Sequence, residues 1–322
     1  DKKMRAQLGG QYVESLRGLF ENRLAGQSDL VCYWFEKSRA QIELGRVRRV
    51  GLLSTNSIRT VSNRKVLERI KETGDIFMAW SDREWILDGA AVRVSILGFD
   101  NGSQKDRLLD GVRVTAINAD LSASADSTKA LPLVENEGIC FLGMMKAGPF
   151  DIESDVAKRM LGAQNNPNGR PNSDVVKPRL GGQDVARQPR DGWVIDFGVD
   201  MKLEDASLYE LPFEFVKTNV KPLRDNNRND ALRKNWWLHG RARPALRNAI
   251  SRLARCIVTP EVSKHRVFIW MPTATIPDHK LHVVARDDDF FFGVLHSRVH
   301  EVWTLATCAW MGAGNDPSYS SS

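Results

Sequence analysis

The sequence predicts an α/β layered domain followed by a mixed α+β domain, and three observations carry that expectation. Over roughly the first hundred residues the patterns alternate in the order helix, strand, helix, strand, strand. A small, polar stretch from Asn118 to Lys129, NADLSASADSTK, then reads as a linker. Beyond it the texture changes to short β-like runs separated by turn-rich loops such as Asn165 to Ser173, too rich in Asn, Pro and Gly for any element interior.

Taken in order, residues 29–44 space Leu30, Val31, Trp34, Phe35 and Ile42 as an amphipathic helix does, with Ser28 or Asp29 as cap. Residues 49–55, RVGLLST, form a short apolar strand that breaks at Asn56-Ser57. Residues 62–73 read as a second helix, with Ser62 or Asn63 as cap and Gly74 as terminator. Residues 75–80 and 91–99 are strands with no room for a helix between them, which predicts an antiparallel hairpin. The connection Ser81 to Gly89 is polar and is expected on the surface, where ligand groups are often mounted. Farther on, strands are expected at 193–197, 267–271 and 281–285. A helix is expected at 244–254, presenting Arg247, Arg252 and nearby Arg255. Phe290-Phe291-Phe292 looks like a strand entering the core after the polar turn Asp287-Asp288-Asp289. No internal repeat is present.

A hydrophobic fraction of 42% with 27% charged residues excludes a disordered or fibrous chain. No apolar run reaches the roughly 20 residues that span a bilayer. The opening Asp1-Lys2-Lys3-Met4 lacks the apolar core of a signal peptide and begins mid-pattern, as a fragment would. Cys32, Cys140, Cys256 and Cys308 are scattered, which argues against a zinc site or a disulfide framework and for reduced thiols in a cytoplasmic protein.

The net charge of +6 is unevenly placed. Lys217 to Arg266 holds 13 Lys and Arg against Asp225, Asp230 and Glu261, a balance of +10, so the remainder is net negative. Such a block beside Trp236, Trp237, Phe268 and Trp270 suits a phosphate backbone, because each neutralised phosphate releases counterions. The bland alternative is a solvated helix face that binds nothing.

Several long strings then stand out: LVCYWFEKSRAQI (30–42), RVGLLSTNSIR (49–59), AWSDREWILDGAAVRVSILGFD (79–100), NPNGRPNSDVVKP (166–178), RCIVTPEVSKHRVF (255–268) and ARDDDFFFGVLHSRVHEVW (285–303). Together they resemble the MmeI-like family of single-chain type IIL restriction-modification enzymes and related adenine-N6 DNA methyltransferases. The resemblance implies an endonuclease, a helical connector, a methyltransferase, a target-recognition domain and a helical tail, in that order. It implies that residues 1–120 are the C-terminal half of a Rossmann-like class I methyltransferase sheet, 121–131 a linker, and 132–322 an α+β target-recognition domain. Residues 49–55, 75–80 and 91–99 then become the fifth, sixth and seventh strands. The sequence departs from the full pattern in having no Gly-rich cofactor loop, no Asn-Pro-Pro-aromatic tetrapeptide and no nuclease Pro-Asp…Glu-x-Lys constellation. On this mapping Asp1 follows the catalytic loop. No residue here is then catalytic, and S-adenosylmethionine belongs to the intact parent, none being held by this chain alone. The expected partners are double-stranded DNA and the N-terminal half of the same enzyme, with no membrane.

Methylating adenine N6 requires extruding the base into an aromatic-walled pocket. The turns after the fifth and sixth strands make Asn56, Trp80 and Trp85 candidates for lining it, although the tryptophans could equally close the core, and Asp82-Arg83-Glu84 could be a surface ion-pair set. Arginine pairs with guanine edges, Asn with adenine, and lysine positions phosphates. Those roles point to Arg224, Arg228, Arg233, Lys234, Arg241 and Arg243, to the cluster Lys264-His265-Arg266, and to Arg170, Asn172, Ser297 and Arg298. His296, His300 and Glu301 invite a metal reading, but His-x-x-x-His-Glu lacks zincin geometry and no metal site is expected. The competing function is a non-catalytic DNA-binding or interaction scaffold that has lost its catalytic half.

Overall fold

Apolar spacing in the first part of the chain sets two helices against one twisted sheet. The computed structural model describes residues 2–87, 90–123, 130–131, 133–308, 310–311 and 316–320. The chain divides into two units, Asp1–Leu131 and Pro132–Ser322.

In the first unit, helices α1 (Lys2–Leu8) and α2 (Gly10–Leu19) precede α3 (Leu30–Glu43), strand β1 (Arg49–Thr55), α4 (Val61–Thr73), β2 (Asp75–Leu87) and β3 (Ala90–Asp100). Two short strands follow, β4 (Arg107–Leu109) and β5 (Val112–Val114), and the sheet order is β1-β3-β2-β4-β5. β3 is antiparallel to both β1 and β2, so those two run parallel with β3 between them and α4 as the crossover. Cys32, Phe35 and Ile42 of α3 meet Val66, Leu67 and Ile70 of α4 and Ile76, Leu97 and Phe99 of the sheet in one core. No described strand pairs with the outer edge of β1.

Local details differ from the sequence reading for identifiable reasons. α4 begins a residue early, and Asn63 is spent elsewhere: its amide donates to Asp29 Oδ2 at 2.8 Å and to Ser57 O, while its Oδ1 accepts from Asp29 N at 2.9 Å. Asp29 correspondingly accepts from Ser57 and Asn63 instead of capping its own helix. Gly74 ends α4 in extended backbone, and a Cβ there would collide with the carbonyl of Asp100. Residues 81–87, expected as a surface loop, continue β2, because a cross-strand ladder and the pairing of Arg93 with Asp82 at 2.6 Å and Glu84 hold them in register. The hairpin is antiparallel as expected; its tip, 88–89, lies outside the described residues, as do 124–129 of the expected linker. Ile117, Ala119 and Leu121 are buried in the first core, so the start of that stretch is folded.

The second unit opens with β6 (Cys140–Leu142), β7 (Asp151–Ile152), α5 (Ser154–Gly162), β8 (Val176–Leu180), α6 (Gly182–Ala186) and β9 (Gly192–Ile195). Short helices follow: α7 (Leu203–Ser207), α8 (Glu210–Asn219), α9 (Lys221–Asp225), α10 (Asp230–Lys234) and α11 (Pro244–Ile250). Then come β10 (Arg255–Pro260), β11 (Ile269–Pro272), β12 (Ile276–Pro277) and β13 (Leu281–Val284). The last elements are α12 (Asp289–Leu295), α13 (Arg298–Thr307), β14 (Trp310–Met311) and β15 (Asp316–Pro317). Two four-stranded sheets result, β11-β10-β13-β6 and β12-β8-β9-β7, giving a mixed α/β architecture with several sheets. Alternation along β10 sends Cys256 and Val258 to one core and Ile257 to another. The expected strands lie at β9, β11 and β13 to within two residues. The helix at Pro244 stops at Ile250, so Arg255 opens a strand. The Phe290 run is helical, not a strand, because Asp288 caps α12 by accepting from Phe291 N at 2.8 Å.

One buried charge cluster ties α3 to α4. Glu36 is fully buried and accepts from Arg39 Nε at 2.8 Å and Nη2 at 3.0 Å, with Arg69 Nε 3.4 Å away on α4. Removing one partner strands a buried charge. Glu36→Ala should therefore destabilise this chain by about 3–5 kcal/mol in urea denaturation, and Glu36→Met with Arg39→Met by much less. Equal losses in the two variants would contradict this account.

Candidate functional site

The basic block holds arginines that look inward, cations paired with acids, such as Lys217, Lys221, Arg233 and Arg255, and cations that meet no described carboxylate. Arg224 on α9 is 1% exposed. Its Nη1 donates to Leu238 O at 2.7 Å and Asn235 O at 3.1 Å, its Nη2 donates to Lys146 O at 2.7 Å, and its guanidinium lies 5.2 Å from the centre of the Phe150 ring. Burial presses its pKa below the usual arginine value. Arg247 on α11 likewise faces in, donating to Asp196 Oδ2 at 2.6 Å, Met144 Sδ at 2.9 Å and Ala242 O at 2.8 Å. Planar guanidinium forks suit such multiple acceptors, which a lysine could not satisfy together.

These two side chains brace a crossing where residues 143–147 meet 240–243. Met145 and Arg241 form an antiparallel bridge, with Met145 N donating to Arg241 O at 3.1 Å and Arg241 N to Met145 O at 2.9 Å. Arg241 is exposed, and Arg243 is half-buried with Nε donating to Gly143 O at 3.2 Å. Neither guanidinium meets a carboxylate among the described residues.

The other expected contacts fall into three groups. Arg228, Lys234, Lys264 and His265 are exposed and meet no described carboxylate. Arg233 is tied to Asp230 and Asn227 O, Arg170 to Asp174 at 2.9 Å, and Arg298 to Glu301 at 2.6 Å; such exposed pairs exchange partners at little cost. Arg224 and Asn172 drop out as groove readers because their polar edges are consumed inside the fold. Asn172 is buried, donating to Met160 O at 2.8 Å and accepting from Asn166 Nδ2 at 2.8 Å. Arg266 is half-buried, donating to Pro317 O with its guanidinium 5.7 Å from the Tyr319 ring. Ser297 caps α13, accepting from His300 N at 3.2 Å.

In the first unit the carboxyl end of β1 lies level with Arg83, inside β2, since Thr55 and Arg83 both pair with Val94 of β3. That end is where open α/β sheets mount ligands. Asn56 starts the turn leaving β1, and its Oδ1 is buried without a hydrogen-bond partner, as is the hydroxyl of Ser54. A register shift between Trp80 and Arg83 turns the strand here, and the Arg83 guanidinium stacks 3.8 Å from the Trp80 ring centre. Trp80 is half-buried and also faces Gly111, where a Cβ would stand 3.1 Å from the indole. Trp85 is exposed farther along the hairpin. The sequence reading missed Ser54 and the Arg83 stack, because both depend on strand register.

No family model matches the chain. No curated protein matches it in sequence. Among solved structures the chain superposes on the type IIL restriction-modification enzyme MmeI, determined in complex with DNA, with a TM-score of 0.73 at 17% identity and 97% of this chain covered. The chain is MmeI-like in fold. It spans 43% of the length of the MmeI chain. No described helix is long and apolar enough to cross a membrane, and no group of three or more described His, Cys, Asp or Glu residues is arranged to hold a metal.

Within the MmeI-like fold, His296 and His300 pack against the Phe268 ring, and His300 Nδ1 lies 2.7 Å from Leu295 O. Three histidines of the second unit, His239, His282 and His300, are each held below the usual imidazole range, chiefly by burial. For His239, Asp196 at 3.8 Å opposes burial without overcoming it. A folded pKa below the unfolded one, near 6.5, means the stabilisation is complete above about pH 6.5 and is lost as pH falls. The thermal midpoint should hold from about pH 8 to 7 and drop steadily toward pH 5. A midpoint unchanged down to pH 5 would show that these rings do not resist protonation.

Proposed function

We propose that this chain is the DNA-recognition half of a bacterial, cytoplasmic restriction-modification methyltransferase. In this reading residues 1–120 complete a class I methyltransferase sheet and residues 132–322 read the target. The observation that carries it is the set of cations without acids in the basic block: Arg228, Lys234, Arg241, Arg243, Arg252 and Lys264 meet no described carboxylate, although acids are plentiful elsewhere in the chain. Uncompensated positive charge at this density stabilises a polyanion complex and destabilises the free protein. The fold shared with MmeI, itself determined with DNA, supports the same partner.

The first unit supports the methyltransferase part. Parallel β1 and β2 with antiparallel β3 form the end of a layered sheet, and β1 presents an open edge for further strands. Asn56, with its unpartnered oxygen just past the end of β1, and Trp80, level with Leu53, supply a hydrogen-bonding group and an aromatic wall for an extruded adenine; Trp85 adds a second ring on the hairpin. The turn leaving β1, Asn56–Arg59, holds no glycine, so this turn offers no glycine-rich cradle for S-adenosylmethionine. The cofactor belongs to the remainder of the parent enzyme, and methyl transfer with it.

The 322-residue chain should bind duplex DNA with an affinity that falls linearly in log salt, losing about 0.9 of slope for each phosphate contact removed. Arg228→Gln, Lys234→Gln and Lys264→Gln combined should flatten the slope across all sequences tested. Fluorescence anisotropy between low and physiological salt measures this, and binding that is absent or indifferent to salt would defeat the proposal.

A further inference from the structure

The crossing of 143–147 with 240–243 is built under strain. Arg243 has φ +54° and Ala147 φ +56°, left-handed backbone in which the Cβ of an L-residue crowds its own carbonyl. Close approach adds to this: a Cβ on Gly240 would stand 2.7 Å from Ala147 Cβ, and one on Gly143 would collide with Asp278 O. The segment keeps this geometry because Arg224 grips Lys146 O on one side and Asn235 O and Leu238 O on the other, while Arg247 grips Met144 and Ala242 O.

What the strain presents is two guanidiniums two residues apart. Arg243 is tethered through Nε to Gly143 O, which leaves its terminal nitrogens as an end-on fork. Arg241 is anchored through its backbone pair with Met145 and is exposed. Burial, and then the positive charge of Arg241, hold the Arg243 guanidinium below its usual pKa range. A partly desolvated cation beside a second cation, with no described carboxylate to either, is complementary to an anion rather than to a neutral base edge.

We propose that Arg241 and Arg243 form one clamp that holds a single backbone phosphate of duplex DNA and sets the register of the second unit on it. The proposal rests on the DNA-binding reading and refines it: these two arginines position, and other side chains read bases. It also explains why a left-handed position carries arginine when glycine would fit the backbone without penalty.

The test compares the wild-type chain with Arg243→Gly, Arg241→Gln and the double variant, binding a pool of random-sequence duplexes across a salt series. Arg243→Gly relieves the backbone, so its thermal midpoint should equal or exceed that of wild type. Each single variant should weaken binding about tenfold and reduce the salt slope by about 0.9, equally for every sequence. The double variant should lose no more slope than either single one, because both arginines share one phosphate. A loss of about two units in the double variant would mean two separate phosphates and overturn the clamp. Variants that keep the wild-type slope but enrich different sequences would make these arginines base readers, and would overturn it as well. If wild type itself shows no salt-dependent binding, the DNA reading fails instead.

Discussion

The second unit depends on a cation that never meets an anion. Arg224 is neutralised by the dipoles of three backbone carbonyls from three places in the chain, at 146, 235 and 238. Lys146 O and Asn235 O also accept from Gly240 N and Leu238 N, so Leu238 O is the carbonyl that depends on the fork for its donor, and a buried carbonyl left without one costs about 1–3 kcal/mol. The fork fixes where residues 143–147 pass residues 240–243, and with them exposed Arg241 and half-buried Arg243. Arg247 does the same from α11, with the buried carboxylate of Asp196 taking up its charge. The arginines proposed to hold a phosphate are thus positioned by other members of the same basic block.

The first unit is governed by backbone pairing. Placing β3 between β1 and β2 makes those two strands parallel, and its ladder with β2 sets Arg83, inside that strand, level with the carboxyl end of β1. The long hairpin follows from that ladder and from Arg93 reaching across to Asp82 and Glu84. Two polar atoms without partners, on Ser54 and Asn56, remain where β1 ends. Buried polar atoms of this kind cost energy in the free protein, and a ligand that completes them recovers it.

Much of this was legible in the residues. Apolar periodicity located α3, α4, β1 and the hairpin, because burial on one face leaves a periodic trace. Turn chemistry and charge density located the loop at 165–173 and the basic block. What could not be read was the destination of each polar side chain. Arg224 and Asn172 belong to residue types that read DNA bases, yet both are buried on carbonyls that come from distant parts of the chain. Ser81 to Leu87 is polar enough for a loop, but cross-strand charge pairing keeps it in a sheet. The Phe290 run has strand-like composition, and a single aspartate accepting one backbone N–H made it a helix. In each case a long-range contact or a single cap outweighed the local preference.

The bare flank of β1 has a practical consequence. Seven residues, RVGLLST, carry along one side a row of amide and carbonyl groups that no described strand pairs, with Leu53 exposed among them. Proteins ordinarily shield such a border with charge, proline or a bulge, and the middle of this one, Gly51 to Ser54, has none of those side chains. Handled in concentrated solution, the first unit would tend to zip onto copies of itself along that line.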